Sequence, residues 1–163
     1  MILVVCIFHD YKSVCSFMKV CIIDDEWISR FLIQKLIQKT VTDPEIINFA
    51  NGREAFEFIK LHQTDRLSLP ELILLDINMP VANGWEFLDM MQALHIKNYN
   101  PLIYMVSSSI DPADLARAKT YPEVQGFLAK PLTYVMIAPV LEAALLITTS
   151  ITGPLGTIKS VTS

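Results

Sequence analysis

The chain is 163 residues long with a net charge of −4 and a pI near 5.3, which fits one domain with its own core and gives no basic footprint for nucleic acid. Hydrophobic residues make up 52%, yet no uninterrupted apolar run is long enough for a bilayer; the nearest, Tyr134 to Ile147, holds Pro139 and Glu142 and reads as a buried core helix. Three cysteines, Cys6, Cys15 and Cys21, are an odd number without metal-ligand spacing, which argues for a reducing compartment and a cytoplasmic location rather than a disulfide framework.

Met1 to Phe8 is apolar, but neither a leading basic cluster nor a small-residue cleavage site accompanies it, so a secretory signal is not expected. Met18 looks like the start of the fold. Residues 1–17 then form an N-terminal extension, an extra strand or a partner-binding arm. Val20 to Ile23 is a short apolar strand that ends in Asp24-Asp25-Glu26. Trp27 to Thr40 has helical periodicity, with Ser29, Leu32, Ile33, Leu36 and Thr40 on one face. Asp43-Pro44 turns the chain into a strand, Ile46 to Ala50, closed by Asn51-Gly52. A helix from Arg53 to His62 points Ala55, Phe56 and Ile59 inward, and Thr64 to Pro70 reads as loop.

The next stretch, Leu72 to Leu75, is uniformly apolar and stops at Asp76. A run of that length bounded by turn signals reads as a strand of a parallel sheet buried on both faces. Asn78, Pro80 and Asn83-Gly84 follow, then a helix from about Gly84 to His95. Leu102 to Val106 is a strand ending in Ser107-Ser108-Ser109. Asp111 has the chemistry of an N-cap and Pro112 of a first helical residue, for a helix to about Lys119. Val124 to Leu128 is a fifth strand, and a last helix runs from Pro131 to about Ile147. Thr148 to Ser163, rich in Thr, Ser and Gly, reads as a flexible tail.

Five strands alternating with five helices imply right-handed crossovers and a three-layer α/β/α sandwich. The polar signals all fall at strand ends: Asp24 and Asp25, Asp76, Ser107, and Lys130. Parallel strands carry such ends to one edge, where open α/β sheets place ligands. Clustered carboxylates repel and raise one another's pKa unless a cation relieves them. Mg²⁺ suits oxygen ligands and phosphoryl oxygens, a lysine and a hydroxyl can hold a phosphoryl group, and a carboxylate can be the nucleophile that forms an aspartyl-phosphate.

Ile23-Asp24-Asp25-Glu26, Asp76-Ile77-Asn78-Met79-Pro80 with Gly84, Ser107-Ser108 and Lys130-Pro131 resemble the motifs of the receiver domain of two-component response regulators, over residues 18–147. The resemblance implies a flavodoxin-like (βα)5 fold with sheet order 2-1-3-4-5 and a cis Lys130-Pro131 bond. It implies Asp76 as phospho-acceptor. Asp24, Asp25, Asp76 and the backbone carbonyl of Asn78 become Mg²⁺ ligands, and Ser107 and Lys130 phosphoryl contacts. Ser107 and Phe127 become the switch pair. Asn78 and Ser109 flank the site, where phospho-aspartate lifetime is set. A sensor histidine kinase or histidine phosphotransfer protein is the implied donor, and the chain is a signalling domain rather than a turnover enzyme. Only a polar stretch follows residue 147, so the expectation is a stand-alone receiver that works by protein contact or by relay. This chain departs from the family in having Asn83, Ser107 and Ser108 where Asp, Thr and Ala are commoner, a long segment before the third strand, and Pro139 inside the last helix, where it is expected to kink or delay that helix.

Two other classes fit part of the pattern. A haloacid-dehalogenase-type phosphohydrolase also uses an aspartyl-phosphate, but wants a second Asp where Asn78 stands. A receiver-like scaffold without phosphorylation would not need Asp24, Asp25, Asp76 and Lys130 together. Asp24 or Asp25 also has the chemistry of a cap for the helix that follows. Trp27 and Phe31, four residues apart, share a helix face beside the acidic site. They suit docking of a kinase or phosphotransfer helix if exposed. The alternative is cover by the N-terminal extension or the last helix.

Overall fold

The chain was studied as a computed structural model, which describes residues 18–108 and 111–152, with side chains to Leu146. At its centre is β3 (Leu72–Asp76), in which every residue is buried. Leu72 and Leu74 face one layer of helices and Ile73 and Leu75 the other, because successive strand side chains alternate. β1 (Lys19–Ile23) repeats this, with Val20 and Ile22 on one face and Cys21 and Ile23 on the other. With β2 (Glu45–Phe49), β4 (Leu102–Ser107) and β5 (Val124–Ala129) they form a parallel sheet of order β2-β1-β3-β4-β5. The expected three-layer fold and strand order are therefore present.

On one face lie α1 (Trp27–Thr40) and α5 (Tyr134–Thr152), contributing Ile33 and Ile37, and Ile137, Val140, Leu141 and Ala144, to one core. On the other lie α2 (Gly52–Leu61), α3 (Gly84–Leu94) and α4 (Pro112–Ala118), with Ala55, Ile59, Trp85, Phe87, Leu88 and Ala118 in the second core. Met18 is fully buried and its carbonyl accepts from the Glu45 N–H. Asn51, Asn83 and Asp111 cap α2, α3 and α4 through their side chains, and Asn83 with Glu86 completes a capping box.

Four expectations change. The buried stripe of α1 is Ile33 and Ile37, with Ser29, Leu36 and Thr40 at its margins; Leu32 is exposed. A stripe only four residues wide leaves the choice of neighbours to packing against α5. Neither Asp24 nor Asp25 is the N-cap of α1; Glu26 is, without a side-chain cap bond, and Asp24 accepts the Glu26 N–H instead. The segment before β3 contains a 3₁₀ turn, Arg66–Ser68, capped by Asp65. α5 runs through Pro139; it begins at Tyr134, after the expected start at Pro131, and continues to Thr152, past the expected end at Ile147 and into the stretch read as tail. Pro139 has no N–H for the Val135 carbonyl. The burial of Ile137, Val140 and Leu141 around it holds the helix in place. The expectations for residues 1–17, Cys6, Cys15, Ser109 and residues 153–163 lie outside the described residues. Among the described residues, no helix is long and apolar enough to cross a membrane.

Candidate functional site

Parallel pairing brings four strand ends to one edge. Asp24 follows β1, Asp76 closes β3, Ser107 closes β4 and Lys130 follows β5. Asp76 is in register with Val106 and Ser107 with Ala129, and the Lys130 N–H donates to the Ser107 carbonyl at 2.9 Å. Lys130 is thereby aimed back across the edge. Its Nζ lies 2.8 Å from Asp24 Oδ2 and 3.1 Å from Asp76 Oδ1.

Asp24, Asp76 and Ser107 are buried, while Asp25 is exposed. One carboxylate oxygen from each of Asp24, Asp25 and Asp76 falls within 4.8 Å of the others. Three carboxylates facing one ammonium leave an excess of negative charge, and hard oxygen donors at that spacing fit a divalent cation such as Mg²⁺. Burial, and then the neighbouring Asp24 and Asp25 charges, push the Asp76 carboxyl up to about 6, although Lys130 opposes them. Burial alone would lower Lys130, but its hydrogen bond and attraction to Asp24, and then to Asp76, raise it instead. The pair is unequal because Lys130 serves two carboxylates, so Asp76 receives only part of its charge.

Asp24 is the most tightly held group. Its Oδ1 accepts the Glu26 N–H at 2.9 Å, its Oδ2 accepts the Ser29 hydroxyl at 2.6 Å as well as Lys130, and its main-chain carbonyl accepts from Arg30. Neither Ser29 nor Arg30 was marked for the site by sequence reasoning. The available signal was their position in the first turns of the helix directly after the acidic pair.

Asp76 is fixed from below by a close backbone approach. The Gly84 N–H donates to the Ile77 carbonyl at 3.0 Å, and a Cβ on Gly84 would stand 2.5 Å from the Asp76 carbonyl oxygen. No other residue fits without moving Asp76. Gly52 wedges the same loop from α2: its N–H donates to the Ala82 carbonyl, and a Cβ there would meet Phe87 Cβ at 2.9 Å.

The structure thus gathers Asp24, Asp25, Asp76, Lys130 and Ser107 at one edge. Asn78 is exposed in the loop two residues after Asp76. Phe127 is half-buried on β5, in register with Met105, and packs on the core beneath α2, α3 and α4. Trp27 and Phe31 are 67% and 50% exposed, so α5 does not cover them. With Ile28 and Leu32 they give the outer side of α1 an apolar surface. A groove of about 610 Å³ runs from Trp27, Ile28 and Leu32 to Pro131 and Leu132 and reaches Asp25 and Lys130. The Lys130-Pro131 bond is cis, as the sequence resemblance implied.

Comparison with known proteins agrees with this geometry. A family model described as the response regulator receiver domain matches residues 20–141. A probable methanogenesis regulatory protein, FilR2, of Methanothrix harundinacea is 26% identical over 71% of this chain and 73% of its own length. An uncharacterized response regulatory protein of Staphylococcus epidermidis is 30% identical over 76% of this chain, but the match spans only 45% of that longer protein. Among solved structures, a two-component response regulator from Cytophaga hutchinsonii superposes with a TM-score of 0.70 at 30% identity, covering 80% of this chain and 98% of that one. The chemotaxis protein CheY4 of Vibrio cholerae superposes with a TM-score of 0.62 at 26% identity, over 78% and 98%. From its sheet order, its acidic edge and the family match across most of its length, this chain belongs to the response regulator receiver domains of two-component systems.

Proposed function

We infer that Asp76 accepts a phosphoryl group from a histidine kinase or a histidine phosphotransfer protein and that the domain then switches partner binding or passes the group onward. The observation that carries this reading is Lys130 Nζ held between Asp24 and Asp76, in a cluster whose three carboxylates lie within 4.8 Å. An Asp76 carboxylate oxygen attacks phosphorus, an O–P bond forms, and the donor's N–P bond breaks with its electron pair leaving on the imidazole; an acyl phosphate donor loses an O–P bond instead. Asp24, Asp25, Asp76 and the Asn78 carbonyl would hold Mg²⁺, which when bound neutralises charge on the transferring group. Lys130 meets a phosphoryl oxygen as a point charge, and Ser107, at the end of β4, lies in register beside Lys130's strand to supply a hydroxyl. The acceptor turns over only its own phosphorylation and dephosphorylation, in the cytoplasm.

Phosphorylation adds roughly two negative charges at Asp76. Ser107 is drawn toward them and the half-buried Phe127 moves inward, biasing a two-state equilibrium. The readout is the surface of α4, β5 and α5, where Leu115, Tyr134 and Val135 are already exposed. The exposed Trp27 and Phe31, beside the site, form the docking face for the phosphoryl donor. Trp27→Ala then slows transfer from a phosphorylated histidine donor several-fold and leaves labelling by acetyl phosphate unchanged; equal slowing of both removes the docking assignment.

The direct test is intact mass after incubation with acetyl phosphate and Mg²⁺, for wild type and Asp76→Asn. A Mg²⁺-dependent gain of one phosphoryl group, absent from the variant, is expected. No gain in wild type, where a control receiver is labelled, moves the chain to the scaffold reading. Turnover of p-nitrophenyl phosphate beyond one equivalent moves it to a phosphohydrolase.

A further inference from the structure

Trp27, Ile28, Phe31 and Leu32 put four large apolar side chains within six positions of α1, and no described element covers them. Three of them, Trp27, Ile28 and Leu32, line the groove of about 610 Å³, which continues down α1 through Ser29, Ile33 and Leu36 and is closed on its other side by Pro131 and Leu132. A single exposed leucine is ordinary, but a contiguous apolar groove marks a place where another apolar chain lies.

The same chain carries a segment of matching chemistry. Residues 1–8, Met-Ile-Leu-Val-Val-Cys-Ile-Phe, have no charged side chain and are joined to Met18 by nine further residues. Met18 packs in the core of the α1 and α5 layer, so the chain enters the fold on the face that bears the groove. From there β1 climbs about 17 Å to the acidic edge, and α1 returns past it in the opposite direction. Residues 1–17 can span up to about 55 Å, ample length to double back along α1. Lys12 is their only lysine or arginine, and Asp25 and Glu26 stand exposed at the mouth of the groove. Asp10 tempers that attraction, which suits a cover that a partner can displace.

We propose that residues 1–8 occupy the α1 groove of their own chain as a displaceable cover. The cover and a phosphoryl donor compete for Trp27, so the segment regulates the donor's access to Asp76. That consequence rests on the donor-docking reading above, whereas occupancy of the groove does not. A second copy of this chain is the weaker occupant, because a tether of nine residues presents residues 1–8 to the groove at an effective concentration on the order of millimolar.

Cys6 lies inside the covering run and reports on it. Cys21 is buried, and burial pushes its thiol up, so it stays unreactive. In the full chain with Cys15→Ser, a thiol reagent is expected to modify Cys6 about ten-fold more slowly than in a synthetic peptide of residues 1–17 carrying the same substitution. Adding Leu32→Asp restores the peptide's rate, because Leu32 lines the groove. Leu61→Asp, at an equally exposed leucine on α2, leaves Cys6 protected. Melting temperatures show that each variant is folded. In a separate full-chain variant, Val5→Asp speeds transfer from a phosphorylated histidine phosphotransfer protein several-fold and leaves labelling by acetyl phosphate unchanged.

A Cys6 that reacts in the full chain as fast as in the peptide overturns the proposal. So does protection that survives Leu32→Asp, which would place the segment elsewhere, and protection lost on dilution, which would make a second copy the occupant. Equal change of both labelling rates in Val5→Asp removes the regulatory consequence. Wild type that acetyl phosphate does not label removes the acceptor reading, yet leaves the protection of Cys6 and its loss in Leu32→Asp as they were.

Discussion

Val81 adopts a left-handed backbone, φ 72°, in the loop between Asp76 and α3. Asp43, His95 and Asn98 also have positive φ, but their side chains tolerate that region, whereas a β-branched residue is strained there. The Val81 side chain is 79% exposed and contributes little packing to offset the strain. The conformation is imposed from both sides, by Ala82 N–H donating to the Pro80 carbonyl and by Ala82 and Gly84 being locked to Gly52 and Ile77. Val81→Asn is therefore expected to raise stability by about 1 kcal/mol. Urea denaturation checks it, and an unchanged or lower midpoint would show that the loop holds no releasable strain at this position.

α4 is the least anchored element. It has seven residues, of which only Ala118 is buried, and a helix of two turns has little stability of its own. Its tether is a side-chain cluster at its C-terminal end. The Arg117 guanidinium sits 4.6 Å from the Trp85 ring centroid and 3.6 Å from Asp89 Oδ2, and the Tyr121 hydroxyl donates to Asp89 Oδ1 at 2.6 Å. The Trp85 and Tyr121 rings meet at a tilt, with centroids 5.8 Å apart. Because Trp85 directly follows Gly84, which touches the Asp76 backbone, the tether joins α4 to the base of the acidic site. The Arg117–Asp89 pair is about half exposed and weak in salt, so its loss acts locally. Arg117→Ala is expected to speed hydrogen exchange in α4 several-fold while changing global stability by less than about 1 kcal/mol. Uniform loss of protection across α2 and α3 as well would contradict a local tether.

The acidic edge also sets how the whole molecule responds to pH. Asp76 titrates near 6 in the fold, against an ordinary 3.8, chiefly because it is buried. The native state therefore holds this proton at a pH where the unfolded chain has released it. Stability from this group is complete below about 4, declines between about 4 and 6, and stays reduced above. Without Mg²⁺, Asp76→Asn is expected to be more stable than wild type by about 1–3 kcal/mol at pH 7–8, with the difference vanishing near pH 4. Thermal melts across that range measure it, and a difference independent of pH would mean that burial of the charge is not the cause. A cation competes with this proton for the Asp76 carboxylate, so the Mg²⁺ concentration that half-saturates labelling by acetyl phosphate is expected to rise as pH drops through 6.

Strand and helix order was legible in the residues because short apolar runs bounded by Asp, Asn, Gly and Pro admit few alternatives, and β3, buried on both faces, carries the clearest such pattern. The gathering of Asp24, Asp76, Ser107 and Lys130 was legible too, since parallel strands send their ends to one edge. The buried stripe of α1 was not, because Leu32 and Ile37 have the same hydrophobicity and only contact with α5 and the sheet selects Ile37. The run of α5 through Pro139 was likewise decided by the core that encloses it. Ser29 looked like one more residue on a helix face, and its bond to Asp24 exists only because the first turn of α1 folds back over the end of β1. Periodicity reports which residues want burial; which oxygen a hydroxyl meets depends on distances that the assembled layers alone establish.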